Sequence, residues 1–400
     1  FLLNDTYGFP VDLTQLISKE HAFELDLKGF EKALEAQKER SKKDASKTLG
    51  DWQVFIENAQ TKFLAYDQES AQIRIARLRE VQNKNKSIVQ AVFTQTPFYP
   101  EGGGQVGDQG YIQGVEDGEK LEVVNTKKEN ELIVHNLKKV PENIDQEFVA
   151  QIHVQKRLAS AKNHSATHLL QGALKQILGN HIEQKGSLVN SKYLRFDFAH
   201  YEKVNQMQLH EIETLVNQKI RQSIDLEEQR EMPYQEAIDQ GATALFGEKY
   251  GNKVRMITFD NNFSRELCGG THVANTKEIE HFKIISESAV AAGIRRIEAI
   301  TAEAYQDYVL QKLTQLSEIE KAIGNSQDVL KSVESLVAEN RNLLKEIEIS
   351  RKRLLTYLKL EVKGKLQKSD TLTWAALQLQ VNDAQYLKNS LCKISYKIEK

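Results

Sequence analysis

Apolar and polar residues change rhythm several times along the chain, and each change marks an element boundary. From about residue 53 the period is two. Ile73, Ile75, Val89, Ala91 and Phe93 alternate with polar neighbours, while Val123-Val124 and Leu132-Ile133-Val134 flank Lys127-Lys128-Glu129-Asn130, which reads as a turn. The pattern predicts a β-rich unit over residues 51–154. A helix is expected over 158–178, after which Tyr193-Leu194-Arg195-Phe196-Asp197-Phe198 alternates as a strand, with Leu194, Phe196 and Phe198 on its buried face and Arg195 and Asp197 on the other. A helix over 204–223 and strands over 254–259, 282–285 and 296–300 complete a second unit, 155–301. The expected class is α+β.

Beyond Thr301 there is no proline, and apolar residues recur at steps of three and four: Val309, Leu313, Leu316, Ile319 and Ile323, then Val329, Val333, Leu336, Leu343, Ile347 and Leu354. Gly324-Asn325 interrupts this seam, so residues 302–366 are expected to form an antiparallel helical hairpin. Asn340 and Ser350 make the seam polar in places, which favours a short coil within one chain. Residues 1–50 read as helical, with a turn at Gly8-Phe9-Pro10, a cap at Asp12 and a solvated charge run over 37–43. Residues 367–400 begin something that is not completed.

The chain has 400 residues, 40% hydrophobic and 28% charged, enough for two or three globular units. Its net charge of −2 gives no global attraction for phosphate, so any nucleic acid must be met by local patches of basic groups. Two cysteines, Cys268 and Cys392, exclude a disulfide framework and fit a reducing compartment, with the cytoplasm as the expected location. No apolar run reaches the ~20 residues of a membrane span. The opening residue Phe1 and a first methionine at Met207 suggest a piece of a longer protein.

The chemistry concentrates in three places. His164-Ser165-Ala166-Thr167-His168 puts two imidazoles about 40° apart on one helix face, away from the stripe of Leu169, Leu170, Ala173, Leu174 and Ile177. Taken alone, the pair is equally readable as two unrelated histidines. Far downstream, Cys268-Gly269-Gly270-Thr271-His272 joins a thiol and an imidazole through two glycines that permit a tight path around an ion. One sulfur and three imidazole nitrogens make a tetrahedral set suited to Zn²⁺, and one zinc per chain is expected. The third place is the loop Glu101-Gly102-Gly103-Gly104-Gln105-Val106-Gly107-Asp108, whose exposed N–H groups could approach a ligand. It matches neither nucleotide-phosphate loop pattern, and by itself it is most simply a loop. A metalloprotease is set aside because Ser165 stands where the general-base glutamate would be.

Together these segments resemble the alanyl-tRNA synthetase family. The resemblance runs in order through residues 5–14, the 101–108 loop, His164–Leu170, Gln184-Lys185-Gly186-Ser187, Leu194–Phe198, Ala244-Leu245-Phe246-Gly247-Glu248-Lys249-Tyr250-Gly251 and Glu266–His272. It implies that residues 1–50 end a tRNA-recognition region and that 51–154 and 155–301 form an editing domain. It also implies that 302–366 link to a truncated C-terminal domain. His164, His168, Cys268 and His272 would be the metal ligands, and Thr167 and Gln184 the residues of the catalytic pocket. Gly102, Gly103, Gly104, Gln105, Arg195 and Asp197 would bind substrate, although Gly102 stands where many members have serine. The implied partners are tRNA(Ala) and its mischarged seryl and glycyl forms, with homodimerisation through the C-terminal region of the full-length protein and no membrane. ATP would belong only to an upstream adenylate-forming domain.

The implied editing answers a limit of magnitude. A pocket for alanine cannot exclude glycine, and an apolar pocket rejects an added hydroxyl only ~10²-fold. Pairing of the serine hydroxyl with Thr167 would then mark the error, with Arg195 and Arg296 holding RNA. Four protein ligands describe a closed metal site, whereas a catalytic zinc keeps one position open. A loose ligand, a fifth ligand and a purely positioning metal all fit the residues, and positioning with water activation nearby is favoured.

Overall fold

In the computed structural model the described residues are 48–83, 86–244, 250–324, 328–368 and 373–374, with scattered positions before residue 48. The expectations for most of residues 1–47, for 245–249 of the Ala244–Gly251 segment, for Asn325 and for most of 367–400 lie outside them. The chain divides into two compact units, Phe1–Tyr308 and Val309–Lys400.

The first unit opens with the strands β1 (Thr48–Leu49), β2 (Gln53–Val54), β3 (Lys62–Phe63), β4 (Ser70–Ile73), β5 (Ile75–Asn83), β6 (Lys86–Phe93), β7 (Gln95–Thr96), β8 (Gly110–Gly114), β9 (Lys120–Glu129), β10 (Leu132–Leu137) and β11 (Phe148–Ile152). Nine of them form one sheet in the order β1-β5-β6-β10-β9-β8-β11-β4, with β2 also on β5. The period-two residues do what alternation requires: Ile73, Ile75, Val89, Ala91, Phe93, Leu121, Val123 and Phe148 share one core. The expected turn at 127–130 sits slightly later. β9 runs to Glu129, and Asn130 turns the chain at φ 54°, a conformation asparagine tolerates.

Next come α1 (Val154–Leu178), β12 (Gln184–Val189), β13 (Leu194–Ala199), α2 (Gln206–Arg221), β14 (Glu227–Pro233), α3 (Tyr234–Asp239), β15 (Lys253–Phe259), β16 (Ser264–Leu267), β17 (Phe282–Ala291) and β18 (Ile294–Thr301). A four-stranded antiparallel sheet β12-β13-β18-β17 and a three-stranded sheet β14-β15-β16 result. α2 begins at a capping box in which the Asn205 side chain accepts from the Gln208 N–H and the Gln208 side chain accepts from the Asn205 N–H. The α+β class is as expected.

α1 is the hub. Every residue from Asn163 to Leu174 is buried, so the helix has no solvent face along its middle. Ala166, Leu169, Leu170, Ala173 and Leu174 enter one core with Phe196, Phe198, Ile212, Val216, Ile257 and Phe282. Each large apolar side chain so buried contributes about 1.5–3 kcal/mol. The helix starts four residues earlier than its apolar pattern suggests, because Arg157 is buried too. Its guanidinium donates to Ala65 O (2.6 Å), Pro97 O (2.7 Å) and the Asp108 carboxylate. Asp108 also accepts from the Tyr99 N–H (2.6 Å). This buried ion pair fixes the first turns of α1 to the loop that carries the three glycines.

The helices α4 (Ala302–Ala322) and α5 (Val329–Gly364) follow on either side of Gly324. Several of their seam residues stand exposed: Leu313 is 56% accessible, Leu336 52% and Leu343 49%. No helix among the described residues is long and apolar enough to cross a membrane.

Candidate metal centre

His164 and His168 lie one turn apart on α1, and Cys268 and His272 come from the segment that leaves β16. The structure brings all four together, with their ligand atoms within 4.8 Å of one another. Cys268 Sγ is 3.4 Å from His164 Nε2 and 3.3 Å from His272 Nε2. A tetrahedral zinc with Zn–N and Zn–S bonds of about 2.05 and 2.3 Å would separate sulfur from nitrogen by about 3.5 Å. The donor set therefore fits zinc in element, and these two sulfur–nitrogen distances fit its spacing.

Close approach of the two segments depends on Gly270. A Cβ there would sit 2.0 Å from His164 Cε1 and 2.2 Å from its Nδ1, whereas a Cβ on Gly269 would meet only Tyr66 Oη at 3.9 Å. One of the two glycines is thus required by space and the other is not.

The outward nitrogen of each histidine faces a different group, which fixes ring orientation. Gln105 Oε1 accepts from His164 Nδ1 at 2.8 Å and from the Thr271 N–H at 2.9 Å, and Gln105 Nε2 donates to Thr271 Oγ1 at 2.9 Å. With its hydrogen on Nδ1, His164 turns a free Nε2 lone pair to the sulfur. Ser165 Oγ lies 3.1 Å from His272 Nδ1 and accepts from the Val273 N–H. His168 Nδ1 is buried 3.4 Å from Glu266 Oε2 without closing a hydrogen bond. Rotation of either side chain would complete a carboxylate–histidine pair of the kind that backs metal ligands.

Burial keeps the imidazoles neutral, the form that binds metal. It pulls His164 down to about 3, with the Arg255 guanidinium as a second cause. His168 and His272 also lie well below the ordinary value, again through burial first and then through His164. Glu266 moves the other way, pushed up to about 8 by burial. The peptide N–H of Gly270 points to Cys268 Sγ at 3.3 Å, a contact that favours a thiolate.

The backbone of the glycine loop closes on itself in a tight turn. Gly102 and Gln105 exchange two backbone hydrogen bonds of 3.0 and 3.1 Å, with Gly103 at φ 57° and Gly104 at φ 79° between them. This is the two-residue turn with both central residues left-handed, which glycine adopts without cost. Gly104 also lies against β12, where an added Cβ would be 2.8 Å from Ser187 Cβ. The loop delivers Gln105 to the cluster, where it meets His164 Nδ1.

Thr167 is buried, and its hydroxyl donates to Asn163 O at 2.8 Å, so its oxygen remains an acceptor. Gln184, half-buried, is paired across the sheet with Phe198, on the face that packs against α1. Arg195 and Asp197 occupy the opposite face. Asp197 there accepts a two-pronged contact from Arg296 (2.7 and 2.8 Å), with Arg195 3.8 Å away. These two are therefore not gathered with the metal cluster. An open cavity of about 320 Å³ reaches the cluster instead, bounded by Arg157, Glu228, Arg230, Arg255, Thr271 and His272.

Sequence reasoning did not find Glu266 or Ser165 as partners of the ligands. Glu266 carries a faint signal, an acidic side chain on the buried face of a short strand two residues before Cys268. For Ser165 the sequence gives none.

Two family matches cover the chain in part. Residues 1–157 match the family described as tRNA synthetases class II (A), and residues 254–298 match the threonyl and alanyl tRNA synthetase second additional domain. Cys268 and His272 fall inside the second match, and the α1 histidines fall between the two. The alanine–tRNA ligase of Christiangramia forsetii is 51% identical over 369 residues, 91% of this chain and 42% of that protein. That of Flavobacterium psychrophilum is 47% identical over 390 residues, 96% of this chain and 44% of the relative, and that of Cytophaga hutchinsonii is 49% identical over 348 residues, 87% and 40%. The chain thus spans less than half the length of these relatives. Identity at this level along nine-tenths of the sequence, with two synthetase families matched in order, shows that the chain belongs to the alanyl-tRNA synthetase family.

Proposed function

We propose that this chain carries the zinc-dependent editing activity of an alanine–tRNA ligase and hydrolyses seryl- and glycyl-tRNA(Ala). The whole protein would attach alanine to tRNA(Ala), with ATP used in a domain this chain does not include. The observation that carries the reading is the convergence of His164, His168, Cys268 and His272 on one point. Cytoplasmic location, homodimerisation and the division at about residues 50, 154, 301 and 366 belong to the same proposal.

Zinc, when bound by the four side chains, supplies a Lewis-acidic positive charge beside the ester. The rest is done by the chain's own groups. Thr167 has already given its hydroxyl hydrogen to Asn163 O, so its oxygen can accept one from the serine hydroxyl. A buried acceptor left unpaired by alanine disfavours the correct product, and sites built this way discriminate on the order of 10⁴-fold. Gln184 contributes a second polar group from the same side of β12. Arg195 and Arg296, on the other sheet face, would meet the RNA outside the amino-acid pocket, and the backbone of Gly102, Gly103 and Gly104 would border its entrance.

A second reading has an observation of its own: a four-donor set is the closed form typical of structural zinc, which would make the chain a tRNA-binding module without activity. Incubation with seryl-tRNA(Ala), with and without chelator, separates the two. The editing reading predicts serine release that chelation and Cys268→Ala abolish. No release above the blank contradicts it.

A further inference from the structure

The segment Cys268-Gly269-Gly270 follows β16, and side chains supply the donors for its carbonyl groups. Gly270 is buried, Cys268 half-buried and Gly269 exposed, and each of these three consecutive peptide oxygens has a side chain assigned to it. Arg255 Nη1 donates to Cys268 O at 3.0 Å and to Gly270 O at 2.6 Å, and Tyr66 Oη donates to the intervening Gly269 O at 2.6 Å. We propose that Tyr66 and Arg255 are positioning residues for the metal: by holding these three carbonyls they fix the direction of the peptide N–H that Gly270 gives to the cysteine sulfur, and the place of that sulfur beside the helix histidines. The proposal rests on the zinc reading given above.

The clamp is itself held. Arg255 lies 4.1 Å above the Tyr66 ring and donates through Nε to Glu228 at 2.5 Å. Arg230 lies over the same ring at 5.2 Å and grips Asp67, the next residue, through two contacts of 2.8 and 2.9 Å. Tyr66 comes from the β-rich half of the unit, as does Gln105, which takes the Thr271 N–H. The metal-bearing loop is therefore gripped along its carbonyls and its next N–H by side chains from outside its own strand. A guanidinium fork can reach two carbonyls and a carboxylate together, whereas a lysine at the same place reaches one.

The test is zinc affinity of the full chain, by competition with a chromophoric chelator, alongside thermal unfolding of the metal-free protein. Tyr66→Phe keeps the ring stack and removes one hydrogen bond. It should weaken zinc binding on the order of tenfold, in line with losses at groups behind metal ligands. Arg255→Met should weaken it more, with Arg255→Lys between them. The metal-free melting temperature of Tyr66→Phe should match wild type, and the thiolate-to-metal band of the cobalt-substituted variant should shift. Wild-type affinity and an unshifted band in Tyr66→Phe would overturn the clamp while leaving the zinc site intact. Affinity losses that merely follow the metal-free melting temperature would also overturn it. A wild-type chain that takes up no zinc would overturn the zinc reading together with the clamp.

Discussion

Two loops of this protein look alike in sequence, and they use glycine for different reasons. In Gly102–Gln105 the backbone must turn left-handed twice, at Gly103 and Gly104, to reverse direction within two residues. In Cys268–His272 neither glycine has positive φ, and what Gly270 provides is room for the His164 ring. One loop needs glycine for its torsions and the other for its missing Cβ. Both deliver a side chain to the same point, Gln105 in one case and Cys268 with His272 in the other.

The largest effect should come from filling the space beside His164. Gly270→Ala should abolish stoichiometric zinc binding, because the new methyl would overlap the ring, whereas Gly269→Ala should bind within about threefold of wild type, the ordinary scatter of a substitution away from buried contacts. Metal analysis after exhaustive desalting checks both. Equal zinc content in the two variants would erase the distinction drawn between the glycines.

A smaller effect tests the torsional loop. Gly104→Ala meets both a left-handed backbone and Ser187, and should cost about 1–3 kcal/mol in chemical denaturation. Gly103→Asn, where nothing lies within 4 Å and asparagine accepts the conformation, should be close to neutral. The reverse order would show that contact with β12 does not matter.

Much of this was legible in the sequence. The four side chains that converge could be named from residue type and spacing, since a thiol, an imidazole and two glycines in five residues have few other uses. What the pattern misjudged was their surroundings. The α1 histidines point away from the leucine stripe, as periodicity indicates, yet that side is buried by the metal loop and by Gln105, which arrive from 100 residues downstream and 60 upstream in round terms. Arg195 and Asp197 were placed correctly on the polar face of β13, but the partner that occupies Asp197 is Arg296 on β18, and local sequence does not announce a cross-strand pair. β14 was missed because Glu227-Glu228-Gln229-Arg230 has no apolar alternation; its charges are spent on Arg255 and Asp67. The C-terminal seam was readable as a period, and Leu313 and Leu336 remain exposed among the described residues.

The smallest of the expected effects is in pH dependence and concerns Glu266. Its carboxyl is raised from 4.5 to about 8 by burial, so the folded protein holds a proton that the unfolded chain releases. That contribution is complete below about pH 4.5 and is lost as pH rises through about 8. The buried histidines act oppositely, since their lowered values remove stability as pH falls below about 6.5. In metal-free protein, Glu266→Gln should therefore flatten the decline in denaturation midpoint between about pH 4.5 and 8, with wild type as reference. Parallel profiles would mean that Glu266 is ionised beside His168.

The central claim is that one ion is held jointly by α1 and the Cys268–His272 loop, and X-ray absorption at the zinc edge addresses it most directly. The account predicts, for the zinc-loaded chain, a first shell of one sulfur at about 2.3 Å and three nitrogens at about 2.0–2.1 Å. It further predicts that the sulfur disappears in Cys268→Ala and that one nitrogen disappears in His168→Ala. A first shell without sulfur, or one unchanged by His168→Ala, would contradict it.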